Sequence, residues 1–248
     1  MFPYLRLGPF LLQMPLLALF AGFWIGNTFV EREAVRLGLN KEKINNLIGY
    51  GLFGGVLGAR LVYAAQYASV YLANPFGLFS LSTSTLSPLG GFLIGIAAAA
   101  AYGYRHKLPL RKTLDALTPG LSFFMIAIGA SHLLSGNAYG SPTRVPWAMY
   151  VWSEYRHPSQ FYEIFLALII FTVVLPKIIS ADAPGVRFVQ FVALTATARV
   201  FLEAFRGDSI LWLDGYRAAQ VIGLAILIIC IVVLRQWERI QQNESSIQ

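Results

Sequence analysis

The segment RHPSQFYE, residues 156–163, places six polar side chains directly before an apolar run. A histidine can take up or release a proton near neutral pH, so His157 is a candidate catalytic acid or base. Ser159 or Pro158 can begin a helix, and Gln160 and Glu163 then share one of its faces. Support of a helix start explains Ser159 and Glu163, whereas His157 and Gln160 together indicate a functional cluster.

A second polar group lies in the stretch RVFLEAFRGD, residues 199–208. Arg199, Glu203 and Arg206 are spaced i, i+4 and i+7, which predicts that they share one helix face. Two guanidinium groups beside one carboxylate can hold an anion such as phosphate, because arginine binds phosphate oxygens in a bidentate manner. A structural ladder of ion pairs near the outer surface is the alternative.

One further charged residue, Arg60, lies inside an apolar run, where a charge costs about 2.5–3.5 kcal/mol at the helix centre on insertion scales. Closely spaced glycines precede it in GGVLGARLVY. They predict a thin helix face that another helix or a lipid headgroup can approach. Arg60 is therefore a candidate headgroup ligand, and a packing face with an arginine that extends to the membrane surface is the alternative.

The stretch GNAYGSPTRVPW, residues 136–147, has the composition of an ordered loop. Gly136 and Gly140 permit tight turns, Asn137 offers a side-chain amide, and two prolines stiffen the second half of the loop. Tyr139 lies between the two glycines. These four residues are candidate substrate ligands, and an ordinary loop without a binding role is the alternative.

The elements that must position these residues are predicted to be membrane helices. The chain has 248 residues, of which 12% are charged, about half the share in a typical soluble domain. Several apolar runs reach the roughly 20 residues that a helix needs to cross a bilayer. We predict an all-α integral membrane protein with one domain, residues 1–248. About seven transmembrane helices are expected, near residues 8–29, 45–66, 88–104, 114–135, 158–177, 187–204 and 218–236.

Lysine and arginine residues are unevenly distributed among the connecting segments. Twelve of the 19 lie in residues 30–44, 105–113, 177–187 and the C-terminal tail, and five lie in the segments on the other side. The positive-inside rule then predicts an outside N-terminus and a cytoplasmic C-terminus. Residues 136–157 become an outer loop, and residues 67–87, which carry no charge and many aromatic rings, become an interfacial arm.

The rest of the composition excludes some classes of function. The net charge of +7 reflects this topology, so nucleic-acid binding is not expected. Cys230 is the one cysteine, and it cannot form a disulfide framework or a thiolate metal site. Neither a metal nor a cofactor is expected. A transporter would usually contain paired broken helices, and the sequence has no such symmetry.

Together these segments resemble the motifs of the prolipoprotein diacylglyceryl transferase family. RHPSQFYE is similar to that family's HPSQxYE, which is fairly specific, and SGNAYGSPTRVPW is similar to its signature loop of the type NGExxGxPTxxPW. GARLVY resembles GGRxxY, LGG at residues 89–91 resembles HGG, and RVFLEAFRGD resembles RFxxEFFRxPD. The motifs occur in the same order along nearly the whole chain.

The resemblance implies a seven-span fold with an outward-facing polar cavity in the cytoplasmic (inner) membrane of a bacterium. It implies transfer of a diacylglyceryl group from phosphatidylglycerol to the lipobox cysteine of a preprolipoprotein, with release of glycerol phosphate. A divergent paralogue that binds phospholipid but uses another acceptor, or is catalytically inactive, is the alternative. The candidate substrate-binding residues are Arg60, Gly136, Asn137, Tyr139, Gly140, Gln160, Glu203 and Arg206.

Five positions depart from the family's pattern. Leu89 stands where the family has a histidine before two glycines, and Gly129 stands where the signature has an arginine. His132 falls near a family asparagine, Asn137 replaces a loop glutamate, and the region of Pro15 lacks an expected tyrosine. The base and the main arginine that the family uses are therefore missing from their usual places.

The implied reaction requires a base for the acceptor thiol and cations for the leaving phosphate. Arg199, with Arg206 and Arg60, is the candidate for stabilising the leaving phosphate. The outward histidines, His132 and His157, are the candidates for the base, and His132 is nearer the signature loop. The alternative is that neither histidine is catalytic and that His157 only braces the helix start.

Overall fold

The computed structural model describes residues 3–8, 10–79, 85–175, 183–212 and 215–245. Most of them lie in eight α-helices: α1 (Met14–Arg36), α2 (Lys41–Gln66), α3 (Ala68–Ala73), α4 (Pro88–Arg105), α5 (Leu110–Ser135), α6 (Ser159–Val174), α7 (Val186–Glu203) and α8 (Ala218–Ser245). A 3₁₀-helix spans Pro75–Phe79. Three antiparallel hairpins pair β1 (Tyr4–Leu7) with β2 (Phe10–Gln13), β3 (Met149–Val151) with β4 (Glu154–Arg156), and β5 (Leu211–Trp212) with β6 (Tyr216–Arg217).

Each of the seven predicted spans contains a helix, so the prediction of a mostly helical chain is confirmed. Among the described residues, four helices are long and apolar enough to cross a bilayer: α1, α2, α5 and the Ala218–Trp237 part of α8. Helix α6 is apolar but has 16 residues, and α4 and α7 have 18 residues each. The total of seven spans stays a prediction.

The start of the first predicted span is wrong, and the hairpins correct the expectation of an all-α chain. That span was predicted from residue 8, whereas the chain forms the β1–β2 hairpin and α1 begins only at Met14. Gly8 turns the hairpin with a left-handed φ of +59°. Residues 80–84 of the predicted arm and residues 176–177 of the fifth predicted span lie outside the described residues.

The chain forms two compact units, Met1–Glu33 with Leu114–Gln248 as the first and Ala34–Thr113 as the second. The organisation of both units into a single membrane domain stays a prediction. The first unit has an apolar core between α6 and α7. Its buried members are Ile170, Val174, Phe191 and Ala198.

Buried polar contacts fix the start of α7 in the first unit. The Asp115 carboxylate accepts the N–H groups of Gly185 and Phe188 at 2.5 and 2.9 Å. An acidic side chain is favourable there, because the first N–H groups of a helix have no intrahelical partner. Between those two positions, Arg187 forms a buried ion pair with Glu33.

In the second unit, α2 and α4 pack closely because glycines lie at their contact. A Cβ atom on Gly54 would lie 2.6 Å from the Ala98 Cβ, and one on Gly91 would lie 2.9 Å from the Gly55 carbonyl oxygen. Close approach of helix backbones through small residues is typical of membrane helix pairs. The predicted thin face of α2 is therefore used for packing against α4.

Candidate active site at the loop between α5 and α6

The loop after α5 begins with a backbone conformation that favours glycine. The N–H of Gly136 donates to the His132 carbonyl at 2.9 Å as the helix ends. Gly136 has a φ of +80°, and Ala138 comes two residues later with a φ of +54°. A Cβ atom makes this left-handed region unfavourable for most residues. The tight turn predicted at Gly136 is therefore confirmed.

The first turn of α6 holds this loop through two buried side chains. The Ser159 hydroxyl donates to the Ala138 carbonyl at 2.5 Å, and Gln160 Nε2 donates to the Asn137 carbonyl at 2.9 Å. Ser159 and Gln160 are buried. Of the two predicted start residues, Pro158 is the N-cap residue, although it provides no side-chain cap hydrogen bond. The prediction that the Ser159 side chain supports the helix start is wrong, because its hydroxyl is bound to the loop.

The chain that comes after α7 holds the same loop from another side. The Gly207 N–H donates to the Tyr139 carbonyl at 2.9 Å, and the Ser141 N–H donates to the Phe205 carbonyl at 2.8 Å. Gly140 and Arg206 form an isolated antiparallel bridge between these segments. Three segments that carry sequence motifs, residues 136–142, 156–163 and 203–209, are thus joined. We call this set of contacts the loop network.

Gly140 occupies the tightest point of the loop network. A Cβ atom at this position would lie 2.1 Å from the His157 carbonyl oxygen, which no side chain can tolerate without movement of the backbone. A Cβ atom on Gly207 would lie 2.7 Å from the Gly140 carbonyl oxygen. The Arg156 guanidinium also donates to that carbonyl at 3.2 Å and lies over the Tyr139 ring, 5.1 Å from its centroid.

His157 lies in an aromatic cluster within the loop network. Its ring centroid is 5.2 Å from that of Phe205, and its Nδ1 atom is 3.4 Å from the Tyr162 hydroxyl. The same hydroxyl accepts a hydrogen bond from Trp147 Nε1 at 2.7 Å. Sequence reasoning did not identify these aromatic partners, since aromatic residues in a membrane protein give no signal of their own.

His132 has a carboxylate partner that sequence reasoning also missed. The Nδ1 atom of His132 lies 2.8 Å from Glu163 Oε2, and the two side chains are 29% and 18% exposed. Glu163 was interpreted as support for the helix start, which is wrong because its carboxylate extends to α5. The shared helix face of Gln160 and Glu163 was the available signal, and both residues do contact the α5 end or the loop after it.

The prediction of one helix face for Arg199, Glu203 and Arg206 is only partly correct. Glu203 is 1% exposed, and its Oε2 atom lies 3.1 Å from Arg199 Nη2 in the same helix. Helix α7 ends at Glu203, because the chain beyond it turns to bridge Gly140. Arg206 therefore leaves the helix face and binds the Asp208 carboxylate with two hydrogen bonds of 2.9 and 2.8 Å.

Arg199 also lines an apolar cleft of about 310 Å³ between α7 and α8. Its neighbours in the cleft include Phe191, Ala196, Ile222 and Ile226. The Arg199 side chain is 39% exposed. A cation at the wall of an apolar cleft is chemically suited to a ligand with one anionic group and hydrocarbon chains.

The Arg60 side chain forms hydrogen bonds with residues of the second unit, to which it belongs. Its guanidinium donates to the carbonyls of Gly77 and Thr85, each at 3.2 Å, and to the Thr85 hydroxyl. The residue is 9% exposed. These contacts satisfy a buried charge and join α2 to the described parts of the predicted arm, which contain α3 and the 3₁₀-helix.

Leu89, which stands in place of a motif histidine, is 69% exposed in the first turn of α4. The glycines next to it pack against α2, since a Cβ atom on Gly90 would lie 2.5 Å from the Val62 Cβ. Ser87 precedes the helix and accepts the Gly90 N–H at 3.3 Å. The glycines of this motif therefore have a packing role, whereas the Leu89 side chain is largely exposed.

Comparison with known proteins agrees with these motifs. The family model of prolipoprotein diacylglyceryl transferase matches residues 4–236. Similar proteins include three named phosphatidylglycerol–prolipoprotein diacylglyceryl transferase. That of Photobacterium profundum is 29% identical over 82% of this chain and 79% of its own length. That of Pseudoalteromonas translucida is 27% identical over 89% of this chain and 86% of its own length. That of Clostridioides difficile is 29% identical over 82% of this chain and 82% of its own length.

The match covers nearly the whole chain, including the loop network and the helices that hold it. The family is one of membrane transferases, which agrees with the four long apolar helices. This match over most of its length shows that the chain belongs to the prolipoprotein diacylglyceryl transferase family.

Proposed function

We propose that this chain transfers a diacylglyceryl group from phosphatidylglycerol to the lipobox cysteine of preprolipoproteins. The observation that carries the proposal is the loop network, in which Gln160, Ser159 and the backbone after α7 hold residues 136–142 in one conformation. Such a fixed loop is expected where a substrate must be oriented for reaction. Family membership supports the reaction class.

The site can meet the electrostatic demand of this reaction. The sulfur atom of the acceptor attacks the terminal glycerol carbon of the diacylglyceryl group, and the bond from that carbon to the phosphate oxygen breaks. Arg199, at the wall of the apolar cleft, is proposed to bind the phosphate as it gains negative charge. Arg206 is proposed to support the loop that receives the headgroup, because Asp208 already occupies its guanidinium.

The proposed site lies at the outer face of the cytoplasmic membrane. For a chain of seven spans, the uneven distribution of lysine and arginine supports an outside N-terminus and a cytoplasmic C-terminus. In this orientation, residues 136–157 and the described part of the arm lie at headgroup level. Phosphatidylglycerol and a membrane-anchored preprolipoprotein are both present there.

Gly129 favours a second candidate, a divergent paralogue that binds phospholipid but uses another acceptor or does not turn over. A Cβ atom on Gly129 would lie 2.7 Å from Ile164 Cγ1 and 3.3 Å from the Ile164 nitrogen. The motif arginine would therefore have to displace α6. The packing at this position thus supports a changed phosphate site or a changed chemistry.

The two candidates are separated by complementation in cells depleted of their own diacylglyceryl transferase. The readout is the mass of the lipobox peptide from a reporter lipoprotein. We expect wild-type protein and a Glu42→Gln control, altered at an exposed position in the first turn of α2, to add a diacylglyceryl thioether. Arg199→Gln should not. An unmodified reporter beside folded wild-type protein in the membrane would contradict the transferase and favour the paralogue.

A further inference from the structure

We infer that Glu163 is a positioning residue that holds His132 as the base for the acceptor thiol. The inference rests on the proposed transferase function and assigns the base that Leu89 no longer provides. His132 lies in the last turn of α5, and Glu163 lies in the second turn of α6. Their contact is a single hydrogen bond of 2.8 Å between His132 Nδ1 and Glu163 Oε2.

This bond selects the tautomer of the histidine. A carboxylate only accepts hydrogen bonds, so a neutral imidazole beside it must carry its proton on Nδ1. The other ring nitrogen, Nε2, then has a free lone pair and can accept a proton. A carboxylate in this place also stabilises the imidazolium that forms when the proton arrives. The His132 side chain is 29% exposed, so the pair is not sealed from a reactant.

The surrounding structure fixes the distance between the two helices at this pair. Gly129 lies one turn before His132 and allows α5 to approach Ile164 and Glu163 closely. On the other side, the Gln160 side chain binds the Asn137 carbonyl at 2.9 Å. The pair is therefore flanked by a tight packing contact and by a buried hydrogen bond. Such flanking contacts restrict the motion of a catalytic group.

His157 is less suited to the same role. Its Nδ1 atom is 3.4 Å from a tyrosine hydroxyl, which can donate or accept and so selects no tautomer. The ring also contacts Tyr162 and Phe205 in the aromatic cluster. Among the histidines of the described residues, His132 alone has a hydrogen-bonded carboxylate. His106, the third, stacks on Tyr102 with ring centroids 4.1 Å apart.

The step assigned to the pair is one proton transfer coupled to one substitution. The Nε2 atom of His132 takes the proton from the thiol, and the sulfur electron pair forms the bond to the terminal glycerol carbon. The carbon–oxygen bond to phosphate breaks, and its electron pair leaves on the oxygen of glycerol phosphate. The imidazolium, held by Glu163, later releases the proton to water. No oxidant or further reactant is required.

The first test measures turnover of full-length protein in phosphatidylglycerol vesicles with a lipobox peptide. His132→Gly should lower kcat by about 100-fold or more, and added imidazole should restore part of it. Glu163→Gln should lower kcat about tenfold with KM unchanged, and Glu163→Asp should recover part of the loss. The matched controls Glu42→Gln and His106→Gln should react like wild type. Normal kcat in Glu163→Gln, or no rescue of His132→Gly by imidazole, would overturn the inference.

The second test does not need turnover. Nitrogen-15 NMR of histidine-labelled protein in nanodiscs reports which ring nitrogen carries the proton, and loss of a signal in His132→Gln assigns that residue. We expect Nδ1–H with a free Nε2 in wild type and a mixture of tautomers in Glu163→Gln. The same tautomer in both proteins would refute the role of Glu163. If wild type has the expected tautomer but transfers nothing, the proposed function fails, and the assignment of His132 as a base fails with it.

Discussion

The loop network and the α2–α4 helix pair both depend on glycine, and Gly140 and Gly54 differ in the kind of atom that faces them. At Gly140 the nearest atom is a backbone carbonyl oxygen, that of His157. At Gly54 the nearest atom is the methyl carbon of the Ala98 side chain. A backbone atom that is itself bound into a network moves only if its neighbours also move. Two packed helices can separate slightly along their length.

This difference indicates which region has a fixed geometry. In the loop network, the His157 N–H donates to the Ser141 carbonyl at 3.0 Å. The His157 carbonyl in turn accepts the Ser159 N–H at 2.8 Å. The helix pair is instead packed through small residues of α2 and α4. We therefore expect changes in the loop network to affect catalysis first, and changes in the helix pair to affect stability first.

The largest effect is expected from Gly140→Ala. The new Cβ atom would lie 2.1 Å from the His157 carbonyl oxygen, so the loop must change shape. A displacement of about 1 Å in a positioning segment can lower turnover by about 100-fold, and we expect at least that loss in the vesicle assay. The matched variant Gly54→Ala should retain transfer and lose about 1–3 kcal/mol of stability through overpacking.

Thermal unfolding of both glycine variants in detergent measures their stability, so that a loss of transfer can be distinguished from a loss of folded protein. Equal loss of transfer in Gly54→Ala and Gly140→Ala would remove the contrast between the regions. Normal transfer in Gly140→Ala would mean that the loop network does not position the substrate.

The next effect concerns the ion pair in α7. Arg199→Gln leaves the buried Glu203 carboxylate without its cation. We expect the free energy of unfolding to fall by about 2 kcal/mol, less than the 3–5 kcal/mol of a fully buried pair, because Arg199 is partly exposed. The double variant with Glu203→Gln should recover stability but not transfer. Recovery of transfer as well would assign Arg199 a structural role only.

An effect of similar size is expected from restoring the family's arginine. Gly129→Arg places its Cβ atom 2.7 Å from Ile164 Cγ1, which should separate α5 from α6 and weaken the His132–Glu163 contact. We expect a loss of about 1–3 kcal/mol in stability and reduced transfer. Gly129→Ala, which adds one methyl group, should show a weaker form of both. Faster transfer by Gly129→Arg would show that the site still operates with the family's usual phosphate ligand.

The smallest effect is expected from Arg60→Gln in the second unit. The change removes charged hydrogen bonds to the Gly77 and Thr85 carbonyls and should cost about 1–2 kcal/mol. Limited proteolysis should cut faster within residues 67–87, with little change in KM for phospholipid. Unchanged proteolysis with a raised KM would instead assign Arg60 to lipid binding, as the sequence alone suggested.

Hydropathy predicted the positions of the main helices well, because length and apolar composition decide where a chain can cross a bilayer. It failed at the N-terminus, where the mostly apolar strand Phe10–Gln13 pairs with Tyr4–Leu7 as a hairpin. Composition does not distinguish an apolar hairpin from the first turns of an apolar helix.

The members of the candidate site and the Arg199–Glu203 pair were visible in the sequence, but partners from other segments were not. Helical periodicity predicts Arg206 on the same face as Glu203. In the structure, α7 ends at Glu203, and Arg206 instead forms a β-bridge with Gly140. Glu163 and Ser159 have residue types that suit a helix start, yet both bind across to the α5 end and its loop. Such tertiary contacts override local preference, and spacing along the chain cannot reveal them.

The most direct measurement of the central claim uses purified protein in vesicles of phosphatidylglycerol and a synthetic lipobox peptide, with the peptide mass as readout. We expect a mass increase of one diacylglyceryl group on the cysteine, absent with phosphatidylethanolamine vesicles and strongly reduced in His132→Gly. An unchanged peptide with folded wild-type protein, or equal modification by wild type and His132→Gly, would contradict it.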